Sequence, residues 1–414
     1  MRSSAIARRV VGLAAGLTIL GAASVPGQAP SDDLGSKTAP AWVAGLGDST
    51  LARLVGEALR ANHDVQAAEA RVRRARAIRA EVALDRFPTV TMAAGYTRQR
   101  LADATFGASV PDRSLWDTEL RLGYELDVFG RVKRTVRARD ALAASAREDV
   151  RDVERVITAE LAAAYFELRG AEARLRVAEE NAANQRRTLD LTRVRLDAGT
   201  GNAFDTERAE ALLGSTLALV PAVETAIAGA RLRIAVLTGR DPGDLGSERA
   251  VDDDCAPAEP LALPELAIPT LSDSLLRERP DVRSAERQLA AETAFVKAAK
   301  ADYLPRLSLG GTVGITSTGI RRFAGDGSSR FAFGPMVTWP AFDLGRVKAG
   351  VSAARALESE ARARYDRALL LAREEARHAI ASYGHARERL NRLVAAEASS
   401  RRAAELARLG SRAR

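Results

Sequence analysis

The chain holds 414 residues, of which 46% are hydrophobic and 28% charged, a composition that excludes wholesale disorder and leaves room for two or three domains with a large core. The net charge of +8 is carried almost entirely by Arg interleaved with Asp and Glu, with no dominant block of like charge, and only 5% of residues are aromatic, which argues against nucleic acid as a partner. The single cysteine, Cys255, excludes an intrachain disulfide and a cysteine zinc site.

Residues 1–29 read as an export signal: Arg2, Arg8 and Arg9 precede an apolar run from Val10 to Ala23, followed by small residues. Elsewhere no uninterrupted apolar run reaches the roughly 18 residues of a membrane-spanning helix. A polar leader follows over 30–47, and Asp48 is placed to cap a helix through Leu51, Leu54, Val55, Ala58 and Leu59. A second helix is predicted from about Asp64 to Arg86, ending before Pro88.

The period then changes from helical to alternating. Val90, Met92, Ala94 and Tyr96 make one strand, and Trp116, Thr118, Leu120, Leu122, Tyr124, Leu126 and Val128 make a second. The other face of the second strand carries Asp117, Glu119, Arg121, Glu125 and Asp127, so this strand is apolar outside and charged inside. The pair reads as a hairpin over about 88–128, joined through a polar connection at 101–113.

From Gly130 to Gly199 the chain has no proline and one internal glycine, Gly170. Ala143, Ala146, Val150, Val153, Ile157, Ala164, Leu168, Ala171, Leu175, Ala178 and Ala182 recur in steps of three and four, with one gap at Glu160 where Leu161 can take over the stripe. That heptad seam predicts a helix of roughly 100 Å packed in left-handed coiled-coil style, a spanning strut by its length, although on this stretch alone a free cytosolic coiled coil is the favoured reading. A turn at Gly199-Thr200-Gly201-Asn202 sends the chain back through a helix from about Asp205 to Thr238, which completes a helical hairpin over 130–238.

The series then repeats. Leu59-Arg60, Asp64-Val65, Ala68-Glu69, Asp85 and Pro88 recur as Leu276-Arg277, Asp281-Val282, Ala285-Glu286, Asp302 and Pro305 at an offset of 217, and Gly130-Arg131-Val132-Lys133 recurs as Gly345-Arg346-Val347-Lys348 at an offset of 215. This marks an internal tandem duplication. Residues 48–240 form the first repeat and 270–414 the second, separated by a Pro- and Asp-rich linker at 241–269. The second repeat contains a hairpin at about 305–342, with Leu307, Leu309, Val313 and Ile315 on one face of its first strand and Phe331, Phe333, Val337 and Trp339 on one face of its second, joined through Gly- and Ser-rich residues 319–329. Its long helix over about 345–409 has a seam through Val351, Ala361, Tyr365, Ala368, Ala372, Ala379, Tyr383, Ala386, Leu390 and Leu393, and no second return helix follows, as if the frame were shortened.

Four amphipathic strands cannot close a barrel, and an open edge in lipid would strand backbone N–H and C=O groups at several kcal/mol each. Several copies must pool them, and a homotrimer would supply twelve strands above a helical tube. Taken together, Leu51-Ala-Arg-Leu-Val-Gly-Glu-Ala-Leu-Arg-Ala-Asn-His-Asp, Phe87-Pro88, Tyr124-Glu-Leu-Asp-Val-Phe-Gly-Arg, Arg195-Leu-Asp-Ala-Gly199, Asp205 and Ala209-Glu210 resemble the TolC-like outer membrane factor family over about Asp48 to Leu406.

The resemblance implies a mainly α protein with four strands per protomer in a 12-stranded membrane barrel, and a periplasmic helical barrel. It further implies a passive duct for efflux or type I secretion, in outer membrane lipid, docked onto a periplasmic adaptor (membrane fusion) protein and an inner-membrane efflux transporter. By the same resemblance Arg195, Gly199 and Thr200 map to the adaptor-docking tip and Asp205 to the gate. Residues Leu20-Gly21-Ala22 are followed by Ala23 where lipoprotein relatives carry an acylated cysteine, so no acyl anchor is expected.

No catalytic or metal chemistry emerges. His63, His378 and His385 lie on predicted helices without ligand-like neighbours, acid pairs such as Glu374-Glu375 are helix-surface charge, and Gly310-Gly311 opens no phosphate loop. The chain is therefore expected to be no enzyme and to use no cofactor. The competing non-membrane reading is a soluble periplasmic coiled-coil scaffold, which accounts for the helices but not for the alternating strands.

Overall fold

The computed structural model describes residues 38–100, 112–243, 272–319, 323, 325 and 327–412. The export signal, residues 30–37 of the leader, the 101–111 connection, Cys255 and nearly all of the linker lie outside the described residues. In chain order the elements are α1 (Ala41–Ala44), α2 (Ser49–Ala61), α3 (His63–Leu84), β1 (Thr89–Gln99), β2 (Arg113–Leu126), α4 (Arg131–Asp197), α5 (Ala203–Leu217), α6 (Leu219–Leu237), α7 (Asp273–Arg277), α8 (Pro280–Ala301), β3 (Arg306–Ser317), β4 (Ser329–Thr338) and α9 (Leu344–Arg412). Two compact units divide the chain. The first includes Val72–Ala146 and Leu276–Glu375, the second Asp33–Arg71, Arg147–Leu275 and Ala376–Arg414.

In the first unit the strands form one antiparallel sheet in the order β1-β2-β3-β4, so β1 and β4 are its edges. The two hairpins join through β2 and β3, with Leu120 opposite Val313 and Glu119 opposite Gly314. Because side chains alternate with a period of two, this register puts Val90, Leu122, Gly311 and Phe333 in one row and Met92, Leu120, Val313 and Phe331 in the next, all on one apolar face. The face is uncovered: Met92 is 72% and Phe331 80% exposed. A soluble scaffold would bury such a face, so that reading fails here. β2 stops at Leu126, short of the expected Val128. Helices of the same unit are tied by a buried Ser145 Oγ to Ser284 Oγ hydrogen bond of 2.9 Å and by Arg79 to Asp140 at 2.7 Å.

The core of the second unit forms where α2 and α6 pack on the middle of α4, through Leu51, Leu54, Val55, Ile157, Leu161, Tyr165, Leu168, Ile227, Ile234 and Leu237. Asp48 caps α2 as its spacing predicts. Its Oδ1 accepts from the Leu51 N–H at 2.9 Å while its Oδ2 accepts from the Tyr165 hydroxyl at 2.7 Å. Asn62 caps α3 through the Asp64 N–H and its Nδ2 donates to the Leu237 carbonyl at 3.0 Å, fastening the end of α6. At the gap in the α4 seam, Leu161 is fully buried and Glu160 turns outward to Arg233 at 2.6 Å.

Three helical expectations change. The return is two helices broken at Ala218, because Pro221, in the third position of α6, has no N–H for the Leu217 carbonyl and its ring crowds that turn. By length and composition, Ala203–Leu237 holds an 18-residue window apolar enough to cross a membrane, with mean hydropathy 1.6, although polar residues interrupt its apolar run. That stretch is broken, and α6 lays Ile227, Ala230, Ile234 and Leu237 into the core beside α4. The α9 seam is buried at Val351, Ala361 and Ala372, whereas Leu390 and Leu393 are exposed. No described helix of the chain covers α9 there as α5 and α6 cover α4.

Candidate functional site: a helical tip and the polar face of a sheet

The tip of the second unit is built by the end of α4. Gly199 adopts φ +71°, its N–H donates to the Leu196 carbonyl at 2.9 Å, and the Thr200 N–H reaches back to the Arg195 carbonyl at 2.9 Å. This paired closure satisfies two of the orphan carbonyls of the last turn, and it fixes why Arg and Gly stand four residues apart: Arg195 occupies the last-turn position that accepts and Gly199 the left-handed position that follows the cap. The Thr200 hydroxyl adds a bond to the same Arg195 carbonyl at 3.2 Å. Asn202 then caps α5 by accepting from the Asp205 N–H at 2.9 Å, which sets Asp205 in the first turn, where a carboxylate is favoured by the helix dipole.

The turn encloses a cleft of about 390 Å³ lined in part by Thr188, Thr192, Arg195, Thr200, Asp205 and Arg208. Arg195, Thr200 and Asp205, singled out in sequence, therefore share one cleft, while Gly199 shapes the turn beside it. Arg208 was missed. It lies three residues after Asp205 on α5, and nothing in the sequence marked it apart from neighbouring arginines. Neither Arg195 nor Arg208 has an ion-pair partner among the described residues, whereas neighbouring Arg193 is occupied by Glu210 at 2.9 Å across the hairpin. Phe204 and Val194 add exposed apolar surface at this end. The tip thus offers two unpaired guanidiniums, a carboxylate, hydroxyls and apolar edges, the makings of a docking surface.

The polar face of the sheet lies in the first unit. Arg330 of β4 reaches across β3: its Nη2 donates to Asp117 Oδ1 at 2.9 Å and Glu119 Oε2 at 2.6 Å, and its Nε donates to the Thr316 hydroxyl at 2.9 Å. Thr316 passes its own proton toward Asp117 Oδ1 at 2.5 Å, and Arg121 pairs with Glu119. Glu119 is only 3% exposed because it lies across Gly314, where a Cβ would come within 2.6 Å of the Thr118 carbonyl oxygen. Arg330 was also missed, although it has the parity opposite to Phe331, which puts it on the charged face. Glu125 is gripped in a bidentate pair by Arg131 at 2.9 and 2.6 Å.

Asp127 departs from the expectation. It lies beyond the end of β2, and its carboxylate accepts from the Val132 and Lys133 N–H groups at 2.9 and 2.8 Å, making it a cap of α4 instead of a member of the strand face. A strand of charged alternation ended by Asp and Gly reads as one longer strand, and the cap was the stronger demand.

A family model described as outer membrane efflux protein matches residues 54–240 and 271–413. The chain is 31% identical over 376 residues to outer membrane protein OprJ of Pseudomonas aeruginosa, covering 89% of this chain and 76% of that one. It is 28% identical over 351 residues to the toluene efflux pump outer membrane protein TtgF of Pseudomonas putida, covering 84% and 71%. Among solved structures, the outer-membrane channel OprN superposes with a TM-score of 0.77 at 38% identity, covering 87% of this chain and 79% of that one.

Proposed function

The chain belongs to the outer membrane efflux protein family, and on that premise we propose that three copies form the exit duct of a tripartite pump, passing drugs or other small solutes through the outer membrane. One observation carries the assembly: a four-stranded sheet with an uncovered apolar face and two edge strands, a form that lipid tolerates only when edges of neighbouring copies pair. Pairing β4 of one copy with β1 of the next closes twelve strands, turns the apolar face to lipid and turns the Asp117, Glu119, Arg121, Glu125 and Arg330 face to a water-filled lumen. The uncovered α9 seam supports the same reading, since a neighbouring copy supplies the missing helix partner.

Two tandem repeats per chain would give the duct near-sixfold internal regularity. The tip then meets a periplasmic adaptor through Arg195, Thr200 and Arg208, and Asp205 narrows the mouth. Nothing in this function requires a bond to be made or broken, so selection rests on lumen charge and constriction width.

The experiment is complementation. Expressed with a compatible adaptor and transporter in cells lacking their own outer-membrane channel, the chain should restore resistance to pump substrates. Arg195→Glu combined with Arg208→Glu should abolish that resistance while assembly in the outer membrane is unchanged. Full resistance in the double variant would refute the docking role, and a well-assembled wild type that restores none would refute the duct.

A further inference from the structure

Only five of the 62 basic side chains are lysine. Four of the five, Lys133, Lys297, Lys300 and Lys348, are described, and all four stand at one place in the first unit. Lys133 and Lys348 are the third and fifth residues of α4 and α9, the helices that leave β2 and β4, while Lys297 and Lys300 lie in the last five residues of α8, the helix that enters β3. Each is therefore within about 8 Å, along its helix, of the end that joins the sheet. All four are exposed, and none has an ion-pair partner among the described residues.

Three neighbouring arginines behave differently, with Arg131 taken by Glu125, Arg306 by Asp302 and Arg346 by Asp343, while Arg134 donates to the Phe129 and Lys297 carbonyls. In the repeated Gly-Arg-Val-Lys motif the arginine is thus spent on an internal pair in both copies and the lysine is left over. The helix end does not account for this, because Asp127 already occupies the first N–H groups of α4.

The same end of the sheet carries the exposed rings of Phe87, Phe129, Trp339 and Phe342 in the connections to α3, α4 and α9. Trp339 keeps its ring polar edge occupied, donating Nε1–H to the Tyr303 carbonyl at 3.0 Å. Aromatic rings beside an apolar sheet face mark the border between hydrocarbon and headgroups. A long aliphatic stem with a compact, hydrated ammonium suits that border better than a planar guanidinium committed to a carboxylate, since it can lie along apolar surface and lift its charge to the phosphate layer.

We propose that these four lysines form a binding surface for the phosphate headgroups of anionic phospholipid, at the sheet–helix junction where the barrel leaves the membrane. The proposal rests on the outer-membrane placement of the sheet. Its occupant is argued from charge: four unpaired cations set against an apolar, aromatic border complement an anionic headgroup and its acyl chain, and no carboxylate among the described residues pairs with them.

The test uses the full-length protein extracted in mild detergent, with native mass spectrometry counting lipids retained after addition of phosphatidylglycerol or phosphatidylcholine. Wild type should retain the anionic lipid about tenfold or more over the zwitterionic one. Combined Lys133→Gln, Lys297→Gln, Lys300→Gln and Lys348→Gln should remove the preference, and the corresponding four Lys→Arg changes should preserve at least part of it. Should the fourfold Gln variant fail to assemble, Lys133→Gln with Lys348→Gln alone should halve the preference or more. Equal retention of both lipids by wild type, unchanged preference in the Gln variants, or displacement of phosphatidylglycerol by equimolar inorganic phosphate, the sign of a free-anion site, would each overturn the proposal. A protein that restores efflux yet shows no preference loses the lipid surface and keeps the duct.

Discussion

Gly199 shows how one residue sets the tip. Its φ of +71° is a conformation that a side chain resists, and its carbonyl-closing turn defines the cleft that holds Arg195, Thr200 and Asp205. Gly199→Ala should cost about 1 kcal/mol locally, read as faster amide hydrogen exchange at Gly199 and Thr200 with the rest of α4 unchanged. Asp48 acts at the same scale with two oxygens used at once, one for the α2 cap and one for Tyr165. Asp48→Ala should lower stability by about 1 to 2 kcal/mol in thermal unfolding, more than Tyr165→Phe, which removes only the second bond. Such caps are legible in sequence where the capping residue precedes a clear helical period, as at Asp48. Asp127 was not, because it continues a strand alternation and its role depends on where the strand ends. Arg208 and Arg330 were hidden for another reason: among so many arginines, only geometry separates an unpaired or bridging guanidinium from a paired one.

Helices and strands were read from their periods, and the periods held wherever a partner exists within the chain. The α4 seam is buried as spaced, and Leu168→Ala should cost about 2 to 5 kcal/mol, seen as a lower unfolding midpoint. The period hid the break in the return helix, because an apolar stretch continues through Pro221 and only the missing donor interrupts it. Pro221→Ala should restore the bond to the Leu217 carbonyl and join α5 to α6, seen as slow amide exchange at the new residue 221. At the start of α8, Arg279 pairs with Asp281 and Glu375, both at 2.7 Å. The hydrogen bond to Asp281, then the one to Glu375, holds its guanidinium above the usual arginine range despite partial burial. A raised value makes the stabilisation complete below the unfolded arginine pKa, with loss only as pH rises through the folded one. Arg279→Ala should therefore cost about 1 kcal/mol, and the cost should be constant from about pH 7 to pH 10 in thermal unfolding.

At the scale of the whole molecule, the sequence allowed two hairpins and two long helices to be placed but not the β2–β3 pairing that makes one sheet, since residues about 180 to 200 positions apart leave no local mark. It did show that four strands are too few. The apolar face, the β1 and β4 edges and the bare half of the α9 seam are the surfaces that the proposed assembly with copies of itself would cover. The most direct measurement is a cryo-electron microscopy map of the full-length protein extracted from the outer membrane. It should show three chains about one axis, twelve strands closing with β4 of each chain beside β1 of the next, and the Asp117 and Arg330 face lining the lumen. A particle of one chain, or one with the apolar face of the sheet folded against its own helices, would contradict the account.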